Sequence, residues 1–236
     1  MPMNTSPSSI KTVLLVGASR GLGYAMAAEF VSRGWNVVGT VRQDRTPLHE
    51  LSRRFPHRVE IEYVDITMRD QIAALRSRLV GRTFDMLFVN AGVSNDPTET
   101  IGEVSTEEFT RVMVTNALSP MRVLEDLHHL VADDGTIGVM SSGQGSVSNN
   151  TNGMREVYRG SKAALNTFMR SFAVRHRDDR RAMVLMAPGW VRTELGGPEG
   201  RLSIEESIPN VVSTLLAAQG SPGLQYLDYL GRTVPW

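Results

Sequence analysis

Residues 12–23, TVLLVGASRGLG, join a short apolar run to a glycine-rich turn that opens a helical pattern. An unbroken apolar run of this length is typical of a parallel β-strand covered on both faces. The glycines permit a tight turn and let the backbone approach a pyrophosphate, whose charge then lies at the helix N-terminus. The spacing is GxxxGxG rather than the commoner GxGxxG. The stretch predicts either a nucleotide-binding turn or an ordinary strand-to-helix turn, and its place after the first strand favours nucleotide.

Short β-branched runs and longer amphipathic stretches alternate along the rest of the chain. The predicted strands are Thr12–Val16, Asn36–Val41, Val59–Val64, Met86–Val89, Gly135–Met140, Ala182–Ala187 and Leu224–Asp228. The predicted helices cover residues 22–33, 46–54, 69–80, 105–131, 157–176 and 203–218. This alternation implies crossover connections between parallel strands. The sequence therefore predicts an α/β fold, a Rossmann-like, doubly wound, mostly parallel sheet of seven strands in a single domain.

The two ends of the chain and one long loop complete the predicted organisation. Residues 1–9, MPMNTSPSS, have neither the basic start nor the apolar stretch of a secretory signal. We expect them to form a disordered N-terminal extension to one dinucleotide-binding and catalytic domain over residues 10–236. The glycine-rich loop 189–202 is predicted to be a mobile flap.

Composition excludes several classes of function. Lysine and arginine number 25, as do aspartate and glutamate, so the formal net charge is zero. The chain therefore lacks the basic excess with which nucleic-acid-binding proteins neutralise phosphates, and it offers no polybasic segment to an anionic membrane. It has no cysteine, which excludes disulfides and thiolate metal sites, and its histidines show no metal-binding spacing. We expect a cytoplasmic protein without metal, nucleic acid or membrane partners.

The end of the second predicted strand indicates which dinucleotide the fold prefers. Folds that bind NAD place a carboxylate there to hold the ribose 2′-hydroxyl. This chain has Thr40-Val41-Arg42 at that point, and Arg20 of the glycine-rich turn faces the same corner in such a fold. Arginine offers a permanently charged fork that suits a 2′-phosphate. The sequence therefore predicts NADP(H), unless both arginines are solvated surface residues.

A second group of residues suggests proton transfer. Tyr158 and Lys162 lie at i and i+4, which on a helix places both side chains on one face. An ammonium beside a phenol stabilises the phenolate and lowers its pKa, so the pair can exchange a proton with a carbonyl oxygen. Ser142, at the end of the fifth predicted strand, can hydrogen-bond the same oxygen. Asn116 stands within a predicted helix although asparagine is a weak helix former, and it is either exposed or functional.

These pieces together resemble the motifs of the short-chain dehydrogenase/reductase family, in the family's order. The matching pieces are Gly17-x-x-x-Gly21-x-Gly23, Asp65, Asn90-Ala91-Gly92, Asn116, Ser142, Tyr158-x-x-x-Lys162 and Pro188-Gly189. The resemblance implies that Tyr158 is the catalytic acid/base and that Lys162 holds the nicotinamide ribose and depresses the pKa of the tyrosine. It also implies that Ser142 orients the carbonyl and that Asn116 holds a water for proton relay.

The same resemblance implies which residues contact the cofactor. They are Gly17, Ser19, Arg20, Gly21, Leu22, Gly23, Arg42, Asp65, Ile66, Asn90, Ala91, Gly92, Tyr158, Lys162, Pro188, Gly189, Val191 and Thr193. Within this set, Asp65 and Ile66 would meet the adenine and Asn90 the adenine-side ribose. Val191 and Thr193 would meet the nicotinamide amide.

A narrower resemblance is to the C-factor and sniffer group of carbonyl reductases, which is thought to use NADP(H). It rests on residues 140–146 (MSSGQGS), Asn150-Thr151, Tyr158-Arg159, residues 161–166 (SKAALN), residues 188–193 (PGWVRT), Asp228-Tyr229, Gly231 and Pro235-Trp236.

Two features of the sequence depart from the family pattern. The gap between Ser142 and Tyr158 is three residues longer than usual, which leaves Ser141 and Ser146 as alternatives to Ser142. In addition, residues 154–156 (MRE) stand just before the tyrosine, where the group often carries glycines and aromatics. Because this segment is expected to border the substrate pocket, substrate preference can differ from that of the group.

The sequence therefore predicts an NADP(H)-dependent oxidoreductase that reduces an aldehyde or ketone, with Tyr158 as the proton donor. One alternative is an NADP(H)-binding sensor or signalling protein with vestigial catalysis, and another is an isomerase or dehydratase on the same scaffold. By the habit of the family, we expect a homodimer or homotetramer that pairs the helices near 105–131 and 157–176. The substrate itself cannot be read from the sequence, because the predicted pocket is built from loops.

Overall fold

Strands and helices alternate along residues 10–236, the part of the chain that the computed structural model describes. The strands are β1 (Thr12–Val16), β2 (Asn36–Val41), β3 (Val59–Tyr63), β4 (Phe84–Val89), β5 (Val131–Met140), β6 (Ala182–Ala187) and β7 (Gly223–Asp228). The α-helices are α1 (Gly21–Ser32), α2 (Pro47–Arg54), α3 (Arg69–Arg78), α4 (Thr106–Met113), α5 (Ser119–Leu127), α6 (Glu156–Arg175) and α7 (Ile204–Ala218). The N-terminal extension predicted for residues 1–9 lies outside the described residues.

All seven strands pair in parallel in one sheet, in the order β3-β2-β1-β4-β5-β6-β7. This confirms the predicted doubly wound α/β fold. The chain starts in the middle of the sheet, builds outward to β3, returns to β4 beside β1, and then builds outward in the other direction. The carboxyl ends of β1 and β4 are therefore neighbours at the point where the order reverses, which is where open α/β sheets bind ligands.

The sheet separates two hydrophobic layers. In β1, Val13 and Leu15 face the layer that contains α1, α2 and α7, whereas Leu14 and Val16 face the layer that contains α3, α5 and α6. All four side chains are fully buried. Burial on both faces explains why β1 is apolar without interruption. No helix within residues 10–236 is long and apolar enough to cross a membrane.

The prediction of one continuous helix over residues 105–131 is wrong. A π-helical turn at Val114–Leu118 separates α4 from α5, and a short 3₁₀-helix, His128–Leu130, precedes β5. Pro120 accounts for the interruption, because it has no N–H to donate to the carbonyl of Asn116 four residues earlier. The first N–H after the turn, that of Ser119, bonds instead to the Val114 carbonyl, five residues back.

The segment predicted to be a flap, residues 189–202, connects β6 to α7. Two isolated bridges fold it on itself, one pairing Val191 with Leu202 and the other pairing Thr193 with Gly197. Its mobility stays a prediction.

The turn after β1 is packed too tightly for side chains at two of its glycines. Gly17 has φ of 90°, and a Cβ there would lie 2.8 Å from the Ala91 N atom that follows β4. A Cβ at Gly23 would lie 2.0 Å from the Gly17 carbonyl oxygen. The glycines thus allow the start of α1 to sit directly on the end of β1.

Gly23→Ala is expected to lower the free energy of unfolding by about 1–3 kcal/mol, the usual effect of forcing a methyl group into a filled space. The matched control is Gly160→Ala on α6, where a Cβ meets no atom within 4 Å. That control is expected to be neutral or to stabilise by up to about 1 kcal/mol, because alanine is the better helix former. Urea unfolding of both variants measures the difference. Equal effects would contradict the packing argument.

Candidate active site

One large cavity, with a volume of about 1670 Å³, opens along the carboxyl edge of the sheet. It runs from the glycine-rich turn, past the ends of β4 and β5, to Tyr158 on α6 and the loop between β6 and α7. Its length suits an extended ligand such as a dinucleotide together with a smaller molecule.

The glycine-rich turn is held in place by side chains from two neighbouring strands. The Gly17 N–H donates to Thr40 Oγ1 on β2 over 3.0 Å, and Asn90 Nδ2 donates to the Gly17 carbonyl over 2.8 Å. Thr40 is buried, so its hydroxyl serves the turn. Asn90, predicted to meet the ribose, lines the cavity and also fixes the turn that would cradle the pyrophosphate.

The charges at the adenine end of the cavity favour a 2′-phosphate over a free 2′-hydroxyl. Thr40, Val41 and Arg42 line the cavity at the end of β2, and none of them is a carboxylate. The Arg42 side chain is largely exposed, and its Nη1 lies 3.9 Å from Asp65 Oδ2. Arg20 is also exposed and forms an ion pair with Glu194 of the loop 189–202. Two guanidinium groups therefore line this end of the cavity, and a guanidinium is a group that suits the extra phosphate of NADP.

Asp65 and Ile66, predicted to meet the adenine, follow β3 and line the cavity. Asp65 also has a structural role, because its Oδ1 accepts hydrogen bonds from both the N–H and the hydroxyl of Thr67, at 2.9 and 2.7 Å. Ile66 is nearly buried and can offer an apolar surface to an aromatic base.

Tyr158 and Lys162 lie one turn apart on α6, and both are almost fully buried. Lys162 Nζ donates to the carbonyl of Met140, the last residue of β5, over 2.9 Å. Burial lowers the pKa of Lys162 from 10.5 to about 8, because the charged form loses its hydration. The lysine is thus held between the two elements that form this end of the cavity.

The net shift of the Tyr158 pKa is opposite to the depression that the resemblance implies for Lys162. Burial raises the pKa of Tyr158, and the opposing effects come from the Ser142 hydroxyl and the Arg155 guanidinium. Lys162 Nζ lies 5.8 Å from the centre of the tyrosine ring and donates to the Met140 carbonyl instead. Tyr158 therefore keeps its proton at neutral pH, which is the form that can donate one.

The structure distinguishes between the three serines that the sequence left as alternatives. Ser142 lines the cavity, where its hydroxyl accepts from the Gln144 N–H over 3.1 Å and opposes the effect of burial on the pKa of Tyr158. Ser141 is buried, and its hydroxyl donates to Asn166 Oδ1 over 2.6 Å. Ser146 is also buried and contacts the Trp236 carbonyl and the Asn149 N–H. Ser142 is therefore the serine of the three that faces the tyrosine.

Asn116 is fully buried, which excludes the exposed alternative. Its Oδ1 accepts from the Val93 N–H over 2.8 Å, and its Nδ2 donates to the Val93 carbonyl over 2.8 Å and to Ser161 Oγ over 2.9 Å. The Ser161 hydroxyl in turn donates to the Tyr158 carbonyl over 2.7 Å. Asn116 thus connects the loop after β4 to the helix that carries the tyrosine.

Most of the predicted site residues come together at the cavity. Those that line it are Gly17, Ser19, Arg20, Gly21, Leu22, Arg42, Asp65, Ile66, Asn90, Ala91, Gly92, Ser142, Tyr158, Lys162, Pro188, Gly189, Val191 and Thr193. Gly23 and Asn116 stand behind the cavity wall, where Gly23 permits close packing and Asn116 supplies hydrogen bonds.

Sequence reasoning missed several residues that position the site. Thr40 holds the glycine-rich turn, Ser161 connects Asn116 to the tyrosine helix, and the Tyr226 hydroxyl donates to the Ser142 carbonyl. Pro120, inside a predicted helix, is the signal that could have indicated a distorted turn around Asn116. The other residues carry no local signal, because a buried hydroxyl in a strand or helix has no distinctive pattern.

Comparisons with known proteins agree with this geometry. A family model described as short chain dehydrogenase matches residues 11–201. A short-chain dehydrogenase/reductase from Burkholderia multivorans, solved with bound NADP, is 67% identical with a TM-score of 0.95, and the match covers 96% of this chain and 100% of that chain. A carbonyl reductase from Pseudomonas aeruginosa PAO1, solved in complex with NADP, is 33% identical with a TM-score of 0.88, over 97% of this chain and 100% of that chain.

A curated relative supports the narrower resemblance. C-signal of Myxococcus xanthus is 33% identical over 154 residues, which are 64% of this chain and 92% of the relative. Because the family model matches most of the chain, this protein belongs to the short chain dehydrogenase family and is an oxidoreductase.

Proposed function

We propose that this protein is an NADPH-dependent carbonyl reductase, which reduces an aldehyde or ketone to an alcohol with Tyr158 as the proton donor. The observation that carries the proposal is the buried pair of Tyr158 and Lys162, with Ser142 facing the tyrosine, in a cavity continuous with the glycine-rich turn. A proton donor and a nucleotide cradle in one cavity are what carbonyl reduction needs.

The choice of NADP(H) rests on Arg20 and Arg42 at the adenine end and on the NADP present in the two solved relatives. Bound at this edge of the sheet, NADPH supplies the hydride. The turn around Gly17, fixed by Thr40 and Asn90, offers backbone N–H groups and the N-terminus of α1 to the pyrophosphate.

The residues of the chain account for orientation and proton transfer. Ser142 donates a hydrogen bond to the carbonyl oxygen of the substrate and holds it beside the Tyr158 hydroxyl. Negative charge develops on that oxygen as the carbonyl is reduced, and Tyr158 neutralises it with its proton. To Lys162, held by the Met140 carbonyl, we assign the binding of the nicotinamide ribose.

Asn116 completes the path by which the tyrosine regains a proton. Pro120 has no N–H to donate to the main-chain carbonyl of Asn116, and we assign to this carbonyl the binding of a water molecule. The Asn116 side chain meanwhile fixes Val93 and Ser161, so the carbonyl stays aligned with the site.

The alternative function is a sensor or signalling protein that binds NADP(H) without turnover, as the similarity to C-signal allows. The complete set of Asn116, Ser142, Tyr158 and Lys162 favours the enzyme. Tight NADPH binding without turnover on any carbonyl compound would favour the sensor, and turnover without net consumption of nucleotide would favour an isomerase or dehydratase.

We also propose that the protein works in the cytoplasm as a homodimer or homotetramer. Exposed apolar side chains on the α4–α6 side of the molecule, including Phe109, Leu118 and Phe168, offer a surface that a second copy could cover. Light scattering of the purified protein gives the assembly size directly.

Tyr158→Phe is expected to reduce kcat/KM for a carbonyl substrate by about 10²- to 10⁴-fold, because it removes the proton donor. Its Kd for NADPH should stay within about fivefold of the original, since the lost hydroxyl is worth less than about 1 kcal/mol to cofactor binding. Tyr24→Phe, on α1 and away from the cavity, is the matched control. Oxidation of NADPH with aldehydes, diketones and quinones gives the rates, and full activity in the Tyr158 variant would refute the assignment.

Lys162→Met is expected to raise the free energy of unfolding at pH 7 while abolishing activity. Because burial lowers the pKa of Lys162 to about 8, the folded state holds this proton less tightly than the unfolded state, whose value is 10.5. Burial of the charged lysine therefore lowers the free energy of unfolding of the wild type by up to about 3 kcal/mol. The net gain in Lys162→Met is smaller, because the variant also loses the hydrogen bond to the Met140 carbonyl. The lowering is fully present below pH 8 and is gone above pH 10.5. Urea unfolding of both proteins across this range checks the sign, and a stabilisation that grows with pH would contradict it.

Arg42→Ala is expected to weaken NADPH binding about tenfold and NADH binding by less than about twofold, since only the former offers a phosphate to the guanidinium. The control is Arg53→Ala, which removes the same charge from α2 at a residue outside the cavity lining. Fluorescence titration with both nucleotides measures the ratio. An unchanged ratio would mean that Arg42 does not contact the 2′-phosphate.

A further inference from the structure

The backbone at Arg155 is held in an unfavourable conformation. Arg155 precedes α6 with φ of 60° and ψ of 43°, the left-handed region that costs a side-chain-bearing residue about 1 kcal/mol or more. The preceding loop is fixed by Arg159, whose Nε donates to the Met154 carbonyl over 2.7 Å and whose Nη2 donates to Asn152 Oδ1 over 3.0 Å. These hydrogen bonds therefore hold the main chain at Arg155 in this orientation despite the strain.

That orientation brings a positive charge to the substrate end of the cavity. The Arg155 side chain lines the cavity, and its Cζ lies 5.5 Å from the centre of the Tyr158 ring. The charge is close enough to the phenol to oppose the effect of burial on its pKa. Arg155 thus lies near the ring of the tyrosine to which we assign the proton transfer.

Four of the other arginines that line the cavity lie within 4.0 Å of a carboxylate. Arg20 pairs with Glu194, Arg42 with Asp65, Arg111 with Glu108, and Arg232 with Asp228. Within the described residues, neither Arg155 nor Arg201 has a carboxylate within 4.0 Å.

The nearest acidic neighbour in sequence does not neutralise Arg155. Glu156 Oε2 accepts from the Ile101 N–H over 2.9 Å. Arg155 Nη2 donates to the Leu195 carbonyl over 3.0 Å, whereas its Nε is buried without an acceptor in the described chain. A buried N–H of a charged group without an acceptor is costly, whereas Nη1 makes no hydrogen bond within residues 10–236 and can donate to a carboxylate in the cavity.

We propose that Arg155 binds an anionic group of the substrate, so that this reductase selects carbonyl compounds bearing a carboxylate within a few bonds of the reacting carbon. The inference rests on the proposed carbonyl reductase activity and specifies its substrate class. The Arg155 guanidinium pairs with the carboxylate, and the carbonyl then lies between Ser142 and Tyr158. Arg201, exposed and without a carboxylate partner, adds only general positive charge.

The test compares acids with their neutral esters on the same enzyme. Benzoylformate and the 2-, 3- and 4-carboxybenzaldehydes form a series in which the carboxylate moves away from the carbonyl, and each has a methyl ester of nearly equal shape. Rates of NADPH oxidation are measured for the wild type, Arg155→Met, Arg155→Lys and Arg201→Met, with Tyr158→Phe as the inactive reference.

We expect the wild type to prefer at least one acid over its ester. Arg155→Met should raise KM for that acid about 10- to 100-fold, the loss of one charge-assisted hydrogen-bonded pair, and leave the ester within about twofold. Arg155→Lys should restore part of the preference, because it keeps the charge and loses the fork. Arg201→Met, with the same change of charge, should keep the acid-to-ester ratio.

Two kinetic results would overturn the inference. The first is reduction of the esters with no preference for any acid, which leaves the proposed reductase activity intact. The second is a fall in kcat for acids and esters alike in Arg155→Met, which would mean that Arg155 acts on Tyr158 rather than on the substrate.

If no acid and no ester is reduced, the proposed activity fails on this panel, and binding decides the inference separately. Calorimetric titration of benzoylformate into the NADP-saturated protein then compares the wild type with Arg155→Met. Binding that depends on Arg155 supports the anion site, and binding that is absent or equal in both proteins refutes it.

Discussion

Parallel pairing of β1 with β4 is the constraint on which the site depends. It brings the glycine-rich turn after β1 beside the loop after β4, with Gly17 packed against Ala91 and its carbonyl held by Asn90. A side chain at Gly17 or Gly23 would separate these segments. The cavity exists because the sheet order reverses at this pair of strands and the two connections leave in opposite directions.

The second half of the site is held by a distorted helix. The π-helical turn at Val114–Leu118 buries the side chain of Asn116, which contacts the loop after β4 and Ser161 of α6. A regular helix would direct this residue differently, and Pro120 removes the N–H that a regular helix would need. Local irregularity here gives Tyr158 a fixed position relative to the nucleotide-binding half.

Two residues of the site lower the stability of the fold in ways that a purely structural core would avoid. Lys162 is buried with one carbonyl partner, and Arg155 is held in a strained conformation without a carboxylate beside it. Buried or strained charged residues are typical of functional sites, where a ligand or a reaction needs the charge. Lys162 belongs to the proposed cofactor site, and we assign substrate choice to Arg155, which directly precedes α6 and lies about two turns from Lys162.

The sequence by itself determined the α/β class, the positions of the strands and the motifs that meet at the cavity, because apolar periodicity and glycine spacing are local properties. Tertiary structure alone decided which serine faces Tyr158, since Ser141, Ser142 and Ser146 differ only in the partners that distant segments bring to them. It also decided the direction of the tyrosine pKa shift. Helical spacing predicts that Lys162 lies near Tyr158, but the loss of hydration on burial and the competing Met140 carbonyl depend on the assembled fold.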